Sequence, residues 1–364
     1  VALVPAVLIG QFPEHIAEQH IYSVLHEMGF SHVFEVEHSV DIIEEMMNYH
    51  IKRKSNPKPM ISSFCPAILR LIQAKFPALV DHILPVKTPV DIAALYYKRH
   101  LSQQNIDEKD IGLFYITPCA AKIAAVKSPV GEDKSLIDGV INSDQIYNKI
   151  YNRLQDTKKE SCILPEERHL TSKEIEWSLT GGEAEYINGR TLAVDGVHNC
   201  MNILEKIENE ELYNIDFLEM RACDESCAGG VLLPNNRFLT VDSLQNRSKA
   251  YRQKENHLPV HKPIEDKKSY IKNHGWLGKI PPRPADKLDE DMQRAMEKMQ
   301  LERQIEAILP DIDCGSCGSP SCKDLAEDVA RGEAQISQCV FIQRVLVSND
   351  KMAIHDALEL VREI

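Results

Sequence analysis

Two cysteines four residues apart, Cys223 and Cys227, stand in the stretch LEMRACDESCAGG between an apolar segment and a glycine pair. The spacing is too tight for an ordinary structural disulfide, and no zinc-type partner pair lies close by. Cys65 in SSFCP and Cys119 in TPCAAK also follow apolar runs. A further group, Cys314, Cys317, Cys322 and Cys339, is spaced CxxC, then four residues, then sixteen. Four thiolates cage a tetrahedral metal or an iron–sulfur cube. Gly315, Ser316, Gly318 and Ser319 are small enough to let backbone amides approach the sulfurs, which suits an electron-rich cluster. On spacing alone, structural zinc stays open as the alternative.

The elements around these thiols follow from periodicity. Residues 15–27 and 40–49 carry a helical apolar pattern, with a short strand over 32–36 between them. PMISSFCPAILRLIQAKFP predicts a strand ending at the first cysteine, with Pro66 opening a helix. IGLFYITPCAAK and LYNIDFLEMRAC repeat the arrangement. Three apolar strands thus each deliver a cysteine at the C-terminal end, the edge at which open α/β sheets bind ligands. Residues 244–284 are polar and proline-bearing and predict a wrapping loop or linker. A helix is expected over 286–308, and a last helical segment over 351–364. The domain reading is 1–285 for the main α/β unit, 286–309 for a linker helix, 310–345 for a small α-rich cysteine module and 346–364 for a terminal helix.

Bulk composition limits the function classes. The chain has 364 residues with a formal charge of −13, which argues against a nucleic-acid surface. Its 43% hydrophobic and 27% charged residues describe an ordinary globular protein with a sizeable core. No run of eighteen apolar residues is present, so no membrane span is expected. The start at Val1 shows no signal-peptide pattern and reads as a trimmed end. Ten cysteines in such a chain favour metal ligation in a reducing cytoplasm over a disulfide scaffold.

Taken together, SSFCP, TPCAAK and EMRACDESCAGG resemble the three signatures of the FeFe hydrogenases, over residues 1 to about 241. VPAVLIGQF is similar to the family's first strand, and PVKTP and TGGEAE fall between the signatures in the family's order. The resemblance implies a two-lobed catalytic domain of twisted sheets flanked by helices. It implies that Cys65, Cys119, Cys223 and Cys227 hold a 4Fe-4S cube, with Cys227 also bridging to a two-iron unit that carries carbon monoxide, cyanide and azadithiolate (together, the H-cluster). Lys122 matches the lysine that donates to a cyanide, Pro5 and Ala6 match the backbone near the other cyanide, and Gly229 and Gly230 would allow close approach to the cluster. The C-terminal module resembles a small 4Fe-4S domain of anaerobic redox proteins, including the DLAE helix after the third cysteine. Hydrogen and protons, a ferredoxin-like carrier or redox partner subunit, and separate maturation proteins are the implied partners. A homodimer is compatible with these, and an anaerobic, cytoplasmic setting goes with them.

Departures from the family pattern carry equal weight. Catalytic members have a proton-carrying cysteine where this chain has Phe64, and a phenyl ring relays no proton. Thr117 and Arg221 stand where the family has methionines, and Ala125 where it has a glutamate. These changes, with the cysteine module, resemble the sensory branches of the family. Arg221 is expected either beside the cofactor or paired with Glu219 or Asp224. Glu183 and Glu185 read as solvated rather than as a relay, and Cys162 and Cys200 as ordinary thiols. A hydrogen-converting or hydrogen-sensing enzyme leads. A non-enzymatic iron–sulfur carrier or assembly protein on the same fold and a zinc-stabilised structural protein compete with it.

Overall fold

The computed structural model describes residues 1–156, 170–255, 262–283 and 291–348. Cys162 and the expected helix over 351–364 lie outside these residues. Seven strands are present among them: β1 (Ala2–Val4), β2 (Val33–Glu35), β3 (Met60–Ile61), β4 (Phe114–Thr117), β5 (Gly139–Asn142), β6 (Thr191–Asp195) and β7 (Phe217–Arg221). They form two sheets, one of four strands in the order β2-β1-β4-β5 and one of three in the order β3-β7-β6. Every pairing is parallel. Parallel strands are covered on both faces and are apolar along their length. β1 is buried throughout, and so is β7, even though β7 carries Glu219 and Arg221.

Parallel pairing puts all C-terminal strand ends of a sheet on one edge. Pro5 follows β1 directly, Cys65 comes four residues after β3, and Cys119 and Cys223 come two residues after β4 and β7. One hydrophobic core joins the sheets, with Leu3, Phe34 and Tyr115 from one and Met60 and Phe217 from the other. A second core packs the Pro66–Lys75 and Val197–Glu208 helices on the three-stranded sheet. A third packs Glu18–Glu27 and Ser143–Asp156 on the four-stranded one. This is the two-lobed α/β architecture expected from sequence, with many helices.

The helices expected over 15–27 and 40–49 run Glu18–Glu27 and Val40–Ile51, and Pro66 stands at the first position of its helix. The VPAVLIGQF stretch is strand only through Val4 and then turns into the short helix Ala6–Ile9. Larger is the correction over 244–284. That region holds most of a nineteen-residue helix, Arg237–Glu255, and a second helix, Lys268–His274. The long helix escaped periodicity because its buried positions include Thr240 and Ser248 beside the single apolar Leu244. The linker helix, expected from residue 286, runs Met292–Glu306 and is capped by the Asp291 carboxylate, which accepts from the Gln293 and Arg294 amides.

Leu244 packs so closely against Gly10 that a Cβ added there would stand 2.8 Å from its Cγ. Leu244→Ala is therefore expected to destabilise the fold by about 2–5 kcal/mol in denaturant titrations, the range for a buried leucine. A loss within experimental error would return this segment to the linker reading.

Candidate metal centre and active site

The strand ends bring Cys65, Cys119, Cys223 and Cys227 into one neighbourhood. Burial pushes the Cys119 thiol up to about 11, with Cys65 and Cys227 adding to the effect. Burial likewise raises Cys223, which feels Cys119, Cys65 and Cys227 in turn. Cys119 and Cys223 resist ionising, so a cation or cluster that holds them as thiolates adds directly to folding stability. Among the described residues no three His, Cys, Asp or Glu side chains converge as ligands of a single ion would. The ligands of a cube stand apart at its corners. The tight turn between Cys223 and Cys227 puts Glu225 and Ser226 at φ 60° and 55°, a left-handed conformation uncommon outside glycine. Gly229 and Gly230 are required by the backbone: a Cβ on the first would strike the Asp224 carbonyl and on the second the Pro118 carbonyl. Gly230 thus sets the third signature against the second.

Beside this neighbourhood lies a cavity lined by Pro5, Phe64, Tyr115, Lys122, Ser178 and Cys227, among others. Lys122 Nζ is 3.9 Å from Cys227 Sγ. Burial alone would lower its pKa, but the charges of Cys227, Tyr115 and Cys119 outweigh burial and hold it above the ordinary lysine value. Phe64 carries two cations over its ring, Arg221 Cζ at 3.8 Å from the centroid and Lys122 Nζ at 4.1 Å. Arg221 is 1% exposed and pairs with Glu183 at 2.9 Å and Glu219 at 3.3 Å. Asp224, the other expected partner, meets Arg237 instead. Glu183 is buried, which corrects the solvated reading, and accepts from Ser62 Oγ at 2.7 and 2.8 Å; Glu185 is exposed as expected. Burial pushes Glu183 up to about 7 against the pull of Arg221. Glu219 fixes the TGGEAE turn by accepting from the Gly181, Glu183 and Ala184 amides.

Other expected residues have more local roles. The Thr117 hydroxyl both donates to the Cys119 carbonyl and accepts from its amide, so it shapes the turn at that cysteine. The Ala6 backbone amide helps hold the Glu37 carboxyl down against the rise that burial gives it. Cys200 is buried with its thiol on the Arg221 and Val194 carbonyls, and burial, with Cys65 close by, raises its pKa.

The C-terminal module builds a separate small core from Ile305, Leu309, Leu325 and Ala326 together with Cys322 and Cys339. Cys317 is raised to about 11 by burial, with Cys314 and Cys339 as charged neighbours. The module sits on the main domain through Gly318, at φ +85°, where a Cβ would come within 2.5 Å of the Ala124 Cβ. Arg70 spans the seam, donating to the Ala124, Ser128 and Gly318 carbonyls at 3.2, 3.1 and 3.5 Å. Arg283 closes it with a 3.0 Å bond to Asp328. Sequence reasoning missed this seam and Glu37, since neither lies in a cysteine motif.

Residues 1–188 and 150–231 match the family described as iron only hydrogenase large subunit, C-terminal domain. The chain belongs to that family. Residues 309–341 match a second family, described as "Putative Fe-S cluster". Iron hydrogenase 1 of Clostridium pasteurianum is 24% identical over 232 residues, covering 60% of this chain and 37% of that protein. A component of an ion-translocating oxidoreductase complex from Thiobacillus denitrificans is 50% identical over 44 residues, 12% of this chain and 23% of that protein. The chain thus spans about a third or less of these relatives. An FeFe-hydrogenase from Chlamydomonas reinhardtii superposes with a TM-score of 0.56 at 16% identity, covering 77% of this chain and 93% of that one, and shares the fold. No helix among the described residues is long and apolar enough to cross a membrane.

Within the family frame, the two departures Phe64 and Arg221 touch each other. Arg221→Met would strand two buried carboxylates and is expected to destabilise by roughly 3–5 kcal/mol. Glu183 already holds its proton up to about 7, against an ordinary 4.5, so its folded form binds more protons than its unfolded form between those values. Losing the cation widens that gap. The Arg221→Met penalty should therefore be larger at pH 8 than at pH 5 in urea titrations, and equal penalties would show that Glu183 does not depend on Arg221.

Proposed function

We propose that this protein is an FeFe-hydrogenase-like, H-cluster-bearing protein that cleaves hydrogen slowly and reports hydrogen or redox state. The observation that carries the reading is Phe64 under its two cations, at the position where catalytic members carry a proton-relaying thiol. Donor chemistry supports the cofactor: Arg221 Nη1 is buried with no protein partner among the described residues, and the Lys122 ammonium lies near a sulfur. An orphaned buried donor of this kind fits an anionic group that the protein is built to receive. When bound, the two-iron unit supplies reversible heterolytic hydrogen cleavage.

The chain's own residues do the rest. Cys65, Cys119, Cys223 and Cys227 would hold the cube. Lys122 and the Pro5–Ala6 backbone orient the cyanides, and Arg221 adds positive charge that favours reduced states. Phe64 excludes water, because water beside a phenyl ring in an apolar pocket lacks polar partners. Cys314, Cys317, Cys322 and Cys339 would hold the additional 4Fe-4S cluster, on the module that the Gly318–Ala124 contact seats against the main domain and that would serve a ferredoxin-like carrier or redox partner subunit.

Anaerobic protein loaded with the two-iron unit is expected to show infrared bands of bound carbon monoxide and cyanide. Its turnover should lie at least about a hundredfold below the thiol-bearing branch, ~3 kcal/mol of barrier. A retained cube without those bands would favour an iron–sulfur carrier, and turnover equal to that branch would overturn the sensory reading. Cys317→Ser is expected to lose roughly four irons per chain and slow electron exchange while leaving the main cavity intact. Unchanged iron content would show that the module binds something else.

A further inference from the structure

Phe64 closes one proton route, yet the same cavity holds a buried acid. Glu37 sits in the turn Val36–Ser39 after β2 and lines the cavity with Pro5, Phe64, Lys122, Ser178 and Cys227. It is 3% exposed, and its Oε2 has no hydrogen-bond partner among the described residues. Behind it His38 lies 3.9 Å from Glu35 and 3.8 Å from Glu174, and both acids are within electrostatic reach of Glu37. Glu35 in turn feels Glu18 and Tyr22. Glu18 accepts from the Tyr251 hydroxyl at 2.9 Å and meets Arg247 at 3.4 Å, and these two side chains are partly open to solvent. Glu18, Glu35, Glu37, Glu174 and His38 are all buried. Burial raises Glu35 and Glu37 above the ordinary carboxyl value, so both hold protons more readily than a solvated acid. Glu174 also closes the capping box with Thr171, and Glu18 pairs with Arg247.

We propose that Glu37 is the proton inlet of the candidate site, supplied from the Glu18 end through Glu35, Glu174 and His38. The proposal rests on the functional reading above. In the inward step the Glu37 O–H bond breaks toward a basic atom of the bound two-iron unit. The carboxylate then takes a proton from the His38 and Glu174 side, and that side refills from solvent; one proton moves and nothing is oxidised or reduced. Burial pushes Glu37 up to about 7, with the Ala6 amide and Lys122 pulling the other way and Glu174 adding to the rise. An acid poised near neutrality suits proton transfer in either direction.

The test uses the full chain in two forms. In protein carrying the cube alone, the infrared spectrum at pH 6 should contain a protonated-carboxyl carbonyl band that shifts in D2O and disappears in Glu37→Gln. In protein also carrying the two-iron unit, Glu37→Gln should leave the carbon monoxide and cyanide bands in place while slowing hydrogen–deuterium exchange at least tenfold. Phe64→Cys added to Glu37→Gln should restore exchange, a rescue that a merely structural glutamate would not give. Exchange at the parent rate in Glu37→Gln with intact bands would overturn the inlet, as would absence of the carboxyl band in the cube-only parent. Absence of carbon monoxide and cyanide bands in the loaded parent would instead overturn the functional reading, and the carboxyl measurement would still report on Glu37.

Discussion

The Arg221 guanidinium lies at the centre of this protein, and its charge has to be answered without water. Two carboxylates and an aromatic ring do so: Glu183, Glu219 and Phe64. Each partner then constrains its own segment. Glu219 gathers three amides of the TGGEAE turn, and Glu183 from that turn takes the Ser62 hydroxyl. The same hydroxyl accepts from the Phe64 amide at 3.1 Å. Strand β7, the glycine turn and the first cysteine signature are thereby fixed by one charge. A buried ion pair adds little net stability over an apolar core of equal volume, but breaking it is expensive. The network therefore gives geometry more than energy.

Parallel sheet topology makes that geometry usable. Cys65, Cys119 and Cys223 follow strand ends, and the small residues there let one backbone rest on another. Gly230 against Pro118 joins the second and third signatures, and Gly318 against Ala124 joins the module to the helix that begins after Cys119. The second contact places the chain beside Cys317 within one helix of a main-domain thiol. Neither place tolerates a side chain.

Much of this was legible in the sequence because thiols and strand endings are local signals. Three apolar runs each ending in a cysteine gave the strands, the edge and the ligand neighbourhood. What sequence could not give depended on partners far along the chain. Glu183 follows a glycine pair and looks solvated until Arg221, thirty-eight residues later, lies against it. Glu37 lies just past the strand expected over 32–36, and nothing in VFEVEH shows that its turn, Val36–Ser39, is buried with His38 against Glu174 of the Ser172–Glu176 helix. The Arg237–Glu255 helix buries serine and threonine where periodicity looks for leucine. Long-range burial of polar groups is the common cause of these misses.

The two family departures are best understood as one change. A methionine at position 221 would bring no cation to an aromatic neighbour, and a cysteine at 64 offers a cation little. A guanidinium placed there alone would lie against a thiol with only its carboxylates to answer it, and a phenylalanine alone would add volume without the cation to pack on it. Together they stack at 3.8 Å, and Lys122 shares the ring from 4.1 Å. Two like charges over one ring repel, and the ring's negative faces lessen that cost by attracting each of them. The ring is thus what lets Lys122 and Arg221 lie side by side at the cavity, and both departures follow from a single packing decision.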